Sequence, residues 1–321
     1  MPEGVCFTLL DFEPPEDPSW LQCKLPEGSV PTISEMLKYI LKARRLWRKD
    51  SQSRTVNNNR IESAVENLEV SFVYHTCHQE DVGIADEDVI RQIIRDCKHG
   101  KCGDHWENHE NSAYRETVNF YETYKMLQEL GNEEADIFPE LKGLLEVDTY
   151  ILAAHRRLMR GSSMKTPGGM FSTEVRCTVV DGELHQYPKF ETHDEARDAV
   201  LRIVDRYNTL CFAIKDQEHQ NESLFLQNVF KCVIWLFSEL LSLHPFGDGN
   251  GRLCRLILNY AINVIVPFPV PLHDILGSTR ERYLRAVIAS ENSDGRPRDL
   301  LRLLIESTYD CCKKFLKMLG E

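Results

Sequence analysis

"LLSLHPFGDGNGRLCRLILNY", Leu240 to Tyr260, decides how the rest of the chain is read. An apolar run, Leu224 to Leu243, precedes it and reads as a central buried helix. Pro245 disfavours a helical conformation at His244, so that helix should end there. Gly247, Gly249 and Gly251 allow backbone conformations that other residues avoid, and the chain from Asn250 enters a second helix. A glycine loop feeding a helix N-terminus aims several backbone N–H groups at one spot and forms a nest for an anion. Arg252 falls in the first turn of that helix and Arg255 lies one turn further on the same face, two guanidinium forks suited to polyphosphate oxygens. Asp248 is a hard oxygen ligand suited to Mg²⁺. His244 sits at the rim, where the positive helix end favours a neutral imidazole able to accept a proton. Base, metal ligand and phosphate cradle together describe transfer of a phosphorus-centred group to a hydroxyl.

Two other nucleotide loops are excluded. The Walker pattern needs Gly-Lys-Ser/Thr, whereas Gly251 is followed by Arg252 and Leu253. The dinucleotide fingerprint needs a preceding strand, and here a helix precedes it.

The twelve residues "HPFGDGNGRLCR" resemble the signature of the Fic family, His-Pro-Phe-x-Asp/Glu-Gly-Asn-Gly-Arg-x-x-Arg, at every fixed position. The resemblance implies an all-α helical bundle with one β-hairpin flap, and a protein adenylyltransferase that moves AMP from ATP onto Ser, Thr or Tyr hydroxyls with Mg²⁺. It implies that His244 deprotonates the target hydroxyl and that Asp248 holds the metal. Gly249, Asn250, Gly251 and Arg252 would grip the α- and β-phosphates, and Arg255 would meet the γ-phosphate. "RERYLRAVIASENSDGRP" resembles the family's downstream helix, which nominates Asn292 and Tyr283 as adenine-pocket residues. Family members often carry a self-inhibiting helix, Ser/Thr-x-x-x-Glu-Gly/Asn, whose Glu takes the second motif Arg from the γ-phosphate. "ESAVENL" supplies Glu66 and Asn67 for that role, although Glu62 stands where Ser or Thr belongs. The bland readings are an Asp248 that caps a helix, an Asn292 that ends one, and a Glu66 that is a solvated carboxylate.

Outward from the motif the pattern is helical, with one exception. "FSTEVRCTVV-DG-ELHQYP" places β-branched residues on both sides of Asp181-Gly182, a hairpin signal within 165–188. By resemblance this hairpin is the flap that pins a protein substrate through strand pairing. Thr32 and Glu35 stand in capping-box spacing ahead of "EMLKYILKARRLWRK". Residues 1–30, rich in proline and acids, read as an irregular N-terminal segment. Residues 31–110 read as an N-terminal helical region with the candidate inhibitory helix at 58–76, and 111–321 as the catalytic core.

A net charge of -12 argues against nucleic acid or an anionic membrane as the main partner. The first residues lack a basic start and no run approaches the roughly 20 apolar residues of a membrane span, so the expected home is cytosol or nucleus. Eleven cysteines, irregularly spaced, read as reduced thiols. "CKHGKCGDHWENH" gathers Cys97, His99, Cys102, His105 and His109, metal-type ligands without a standard finger spacing, and a polar loop rich in His is the favoured reading. The rival functions are AMP removal, transfer of UMP, phosphocholine or phosphate, and a nucleotide-binding pseudo-enzyme. Gly251, where a kinase-like branch carries Lys, favours ATP. The target protein is not legible, and a homodimer stays open.

Overall fold

The computed structural model describes residues 8–16, 31–53, 58–102, 111–137, 143–163, 165–180, 183–215, 217–272, 280–292 and 296–320. Within them the chain is helical apart from one hairpin, as expected. The helices are α1 (Ile33–Ser53), α2 (Asn58–Glu80), α3 (Glu87–Lys98), α4 (Ser112–Ile137), the short α5 (Ala153–Leu158), α6 (His193–Lys215), α7 (Glu222–Leu243), α8 (Asn250–Ile262), α9 (Arg280–Asn292) and α10 (Arg298–Leu319). A π-helical turn, Val147–Leu152, runs into α5. Strands β1 (Cys177–Val180) and β2 (Glu183–Gln186) pair antiparallel with Val180 opposite Glu183, and Asp181 and Gly182, the expected turn, lie outside the described residues.

α7 is the axis of the core. It is apolar on nearly every face, and Phe230, Ile234, Leu236 and Phe237 are at most 1% exposed. By length and composition it could cross a membrane, but it is mostly buried among its neighbours. α6, α8, α10 and α1 pack around it. At the start of α1 the predicted capping box is formed, with Thr32 N–H donating to Glu35 Oε2 at 2.8 Å and Glu35 N–H donating to Thr32 Oγ1 at 3.2 Å. Further along, buried Arg44 donates to Glu218 at 2.6 Å and Glu222 at 3.1 Å and fastens α1 to the α6–α7 connection.

The part of the N-terminal segment that is described, 8–16, docks on this core. Leu10 and Phe12 are buried, Glu13 pairs with Lys231 of α7, and Arg302 of α10 donates to the carbonyls of Pro15 and Glu16 at 3.2 and 3.1 Å. Arg302 also pairs with Glu306 one turn on, and both are at most 1% exposed. Removing one charge of such a pair strands the other in a medium that solvates it poorly. Glu306→Ala should therefore lower stability by about 3–5 kcal/mol, while Arg302→Met with Glu306→Leu should cost far less. Urea unfolding of the three proteins checks this, and a single-variant loss below about 1 kcal/mol would contradict it.

Two expectations about cysteine change. Cys97 and Cys102 form a disulfide that closes the turn after α3, with Cα atoms 4.8 Å apart, so these two are not reduced thiols. They are equally not free metal donors, and His99 Nδ1 lies 2.6 Å from the Arg95 carbonyl within the same turn. His105 and His109 lie outside the described residues.

Candidate active site

α7 ends where Pro245 requires, and His244 is its C-cap with φ 48 and ψ 55. Left-handed backbone is uncommon for a residue with a Cβ, and here the imidazole that follows it stacks on Tyr187. Its Nδ1 lies 3.2 Å from the Leu241 carbonyl. A carbonyl only accepts, so Nδ1 carries the proton and Nε2 holds the lone pair. Burial, helped by the Arg176 charge, lowers the His244 pKa to about 4, and the imidazole is neutral at ordinary pH. The neighbouring carboxylates Glu80 and Asp248 oppose this shift without cancelling it.

The loop is shaped by its own side chains. Phe246 N–H donates to Asn250 Oδ1 at 3.0 Å, and Asn250 Nδ2 donates back to the Phe246 carbonyl at 2.8 Å. The Asn250 side chain thus braces the loop and leaves its backbone N–H for an anion. Gly249 caps α8 at φ 76, where a Cβ would sit 2.6 Å from Met159 Sδ. The Asp248 carboxylate accepts from Gly249 N–H at 2.5 Å and from Arg252 Nη2 at 3.4 Å, yet remains 59% exposed.

Arg255 is 1% exposed and is held from several sides. Its Nε donates to Gln79 Oε1 at 3.3 Å, its Nη1 donates to the Gly251 carbonyl at 3.1 Å and to Glu80, and Tyr283 lies under the guanidinium with 4.3 Å from Cζ to the ring centroid. Nη2 is buried with no hydrogen-bond partner among the described residues. Glu80 also covers the nest, because a Cβ on Gly251 would lie 2.5 Å from both of its carboxylate oxygens. A carboxylate therefore occupies the position that the motif prepares for an anion.

That carboxylate corrects the assignment of Glu66 and Asn67. Glu66 pairs with Arg95 at 2.9 Å and reaches toward Arg91 and Lys98, tying α2 to α3. Asn67 bonds Arg91 and the Met318 sulfur. α2 continues past residue 76, and its last residue is Glu80. The missed signal is Thr76-x-x-x-Glu80, followed by Asp81 at φ 52, a left-handed position that Asp tolerates. The loop after it is fixed by Gly83 N–H donating to Glu116 at 3.0 Å and Ile84 N–H to Thr117 Oγ1 at 2.8 Å.

Other residues at the site escaped the sequence reading. His155 on α5 is fully buried, accepts from Gly169 N–H at 2.9 Å through Nδ1, and donates through Nε2 to the Asp248 carbonyl at 2.9 Å. Its ring stacks on Phe246 at 3.8 Å, so it braces the motif loop as a neutral imidazole with a pKa lowered by burial to about 4. Its only sequence trace is a His on the apolar face of "ILAAHRRL". Cys254 is a packed thiol that burial pushes up to about 12. Asn292 is the last residue of α9, and its side chain falls outside the described part of the structure.

The model of the Fic/DOC family matches residues 147–262. Over 134 residues the chain is 25% identical to a Fido domain-containing protein from Dictyostelium discoideum, covering 40% of this chain and 83% of that protein. It is 28% identical over 148 residues, 46% of its length, to the ribonucleoside-diphosphate reductase small chain of Ostreid herpesvirus 1, of which it spans 23%. Among solved structures, a Fic domain containing signaling protein from Bacteroides thetaiotaomicron superposes with a TM-score of 0.64 at 15% identity, over 89% of this chain and 97% of that one. Fic-1 from C. elegans superposes with a TM-score of 0.57 at 20% identity, over 90% and 73%.

Proposed function

We propose that the chain, whose residues 147–262 match the Fic/DOC family, is a protein adenylyltransferase, moving AMP from ATP to a protein hydroxyl under restraint by Glu80. The observation that carries this reading is the Glu80 carboxylate lying over Gly251 and on Arg255: the nest takes an anion, and a neutral imidazole stands beside it.

The residues fit the substrate. The buried Nη2 of Arg255, without a hydrogen-bond partner among the described residues, can donate to a phosphate oxygen, and the backbone N–H groups of Asn250, Gly251 and Arg252 begin a helix with no helical acceptor one turn back. For magnesium the donor set is one exposed carboxylate, Asp248, which suits an ion that takes one or two protein carboxylates and completes its shell with water and phosphate oxygens. There it would neutralise charge on the diphosphate. Nε2 of His244 takes the proton of the target hydroxyl, whose oxygen bonds to the α-phosphorus. The bond from that phosphorus to the bridging oxygen breaks and pyrophosphate leaves.

The target is a protein segment laid along the hairpin. Val179 and Leu184 face each other across the two strands at 66% and 69% exposure, and both strand edges are unpaired among the described residues. Incubation with ATP, UTP or CDP-choline labelled in the transferred group, followed by mass measurement of the modified residue, tests the donor. Label from ATP alone is expected, and label from another donor alone would overturn the assignment.

The pH dependence follows from the imidazole. With its folded pKa at about 4, below the ordinary value of 6.5, the base stays competent from neutral pH down to about pH 5 and fails as pH falls through 4. A rate that already halves near pH 6.5 would show that the imidazole is solvated rather than buried.

A further inference from the structure

One aromatic contact at the site has no part in the phosphate chemistry. The Tyr187 ring lies flat on the His244 imidazole, with centroids 3.7 Å apart and planes within 11°. Tyr187 follows β2, and its N–H donates to the Arg176 carbonyl at 3.0 Å. This stretch is bolted down. Arg176 is 6% exposed and donates to the carbonyls of Ser172 at 2.8 Å and of Pro188. Ser172 N–H in turn donates to the carbonyl of Pro245, the residue after His244. The hairpin base and the segment that carries the imidazole are therefore parts of one hydrogen-bonded unit, and the Tyr187 ring also packs edge to face with His185, centroids 4.9 Å apart.

The contacts leave the imidazole few open directions. Tyr187 covers one ring face and Leu241 takes Nδ1, so an incoming hydroxyl reaches Nε2 along the ring edge or from the remaining face. A peptide paired to the hairpin would run about 4.8 Å from its backbone. The Ser or Thr hydroxyl sits one bond beyond Cβ and needs little room beside the imidazole. A phenol carries its oxygen across a whole ring, and with Tyr187 on one face of the imidazole that ring has only the remaining face to lie against.

We infer that Tyr187 sets the acceptor specificity of this site, closing one face of His244 so that the aliphatic hydroxyl of Ser or Thr enters and the phenol of Tyr does not. This rests on the transferase reading above and narrows its acceptor. The proton goes to His244 Nε2, the acceptor oxygen gains the bond to phosphorus, and pyrophosphate departs. Tyr187 touches the base and takes no proton.

Two measurements on the full chain test it. In a Glu80→Gly background, three degenerate peptide pools with Ser, Thr or Tyr at the fixed centre are offered with α-labelled ATP. The Ser and Thr pools should label at least about tenfold faster than the Tyr pool, Tyr187→Ala should bring the ratio toward one, and Tyr187→Phe should keep it. A Tyr pool labelled as fast as the others, or a ratio that Tyr187→Ala leaves unmoved, overturns the inference. Without nucleotide, diethyl pyrocarbonate acylation of His244, followed by mass spectrometry, should quicken by about tenfold in Tyr187→Ala and not in Tyr187→Phe, as steric cover is lost. Equal rates in Tyr187→Ala and wild type overturn it as well. If no pool is labelled while the acylation behaves as expected, the transfer reading falls and the closure of the imidazole by Tyr187 stands.

Discussion

Glu80→Gly is expected to raise AMP labelling by about tenfold to a hundredfold, because one carboxylate makes charge-assisted contacts worth roughly 1.5–3 kcal/mol that a phosphate must displace. The carboxylate sits on Arg255 Nη1 and over Gly251, and both positions belong to the same anion site. Its loss frees the buried guanidinium without removing it. Gln79, Tyr283 and the Gly251 carbonyl still hold the Arg255 side chain in place. Glu66→Gly is the matched control. It breaks pairs to Arg95, Arg91 and Lys98, loosens α2 from α3, and leaves the nest covered, so labelling should stay at the wild-type level. Equal labelling in wild type and Glu80→Gly would remove the restraint from the account. The same pair of variants separates addition from removal of AMP. If Glu80 orients a hydrolytic water, release of AMP from a modified target falls in Glu80→Gly while addition rises.

The contrast between Glu66 and Glu80 marks where the sequence stops being informative. The motif is legible because its constraints are local: Pro245 ends a helix, Gly249 needs a left-handed backbone, and the charges follow within two turns. The hairpin and the Thr32 cap are local for the same reason. The carboxylate that reaches the motif depends on which end of α2 meets Arg255. Glu66 and Glu80 are fourteen residues apart, close to four helical turns, so they lie near one stripe but about 21 Å apart along the axis. Helical period cannot choose between them, and a helix ending at residue 76 excludes the correct one. His155 and Tyr187 depend wholly on tertiary approach: each touches the motif from an element remote in sequence. No spacing announces them. The Cys97–Cys102 pair likewise follows from the turn after α3, which brings two thiols together where composition alone suggested reduced side chains.

His244→Ala should lower the rate of AMP transfer by about a hundredfold to ten-thousandfold, the span that a positioned general base contributes. Nucleotide affinity should hardly change, since Arg252, Arg255 and the α8 amides remain. The backbone complicates the choice of variant. Residue 244 has φ 48, and a left-handed residue with a Cβ costs roughly 1–2 kcal/mol that only Gly, Asn and Asp avoid. His244 bears that cost with its Nδ1 bonded to the Leu241 carbonyl, so a weakly active His244→Ala could reflect a loop shifted by loss of that bond as well as a missing base. His244→Asn settles this, because Asn accepts the left-handed conformation and can donate to the Leu241 carbonyl as Nδ1–H does. It offers no basic lone pair. If both variants bind ATP as wild type does and neither transfers AMP, the lone pair on Nε2 is what the reaction needs. If His244→Asn retains transfer within about threefold of wild type, the imidazole is not the base. The left-handed cap would then serve only to hold the glycine loop open.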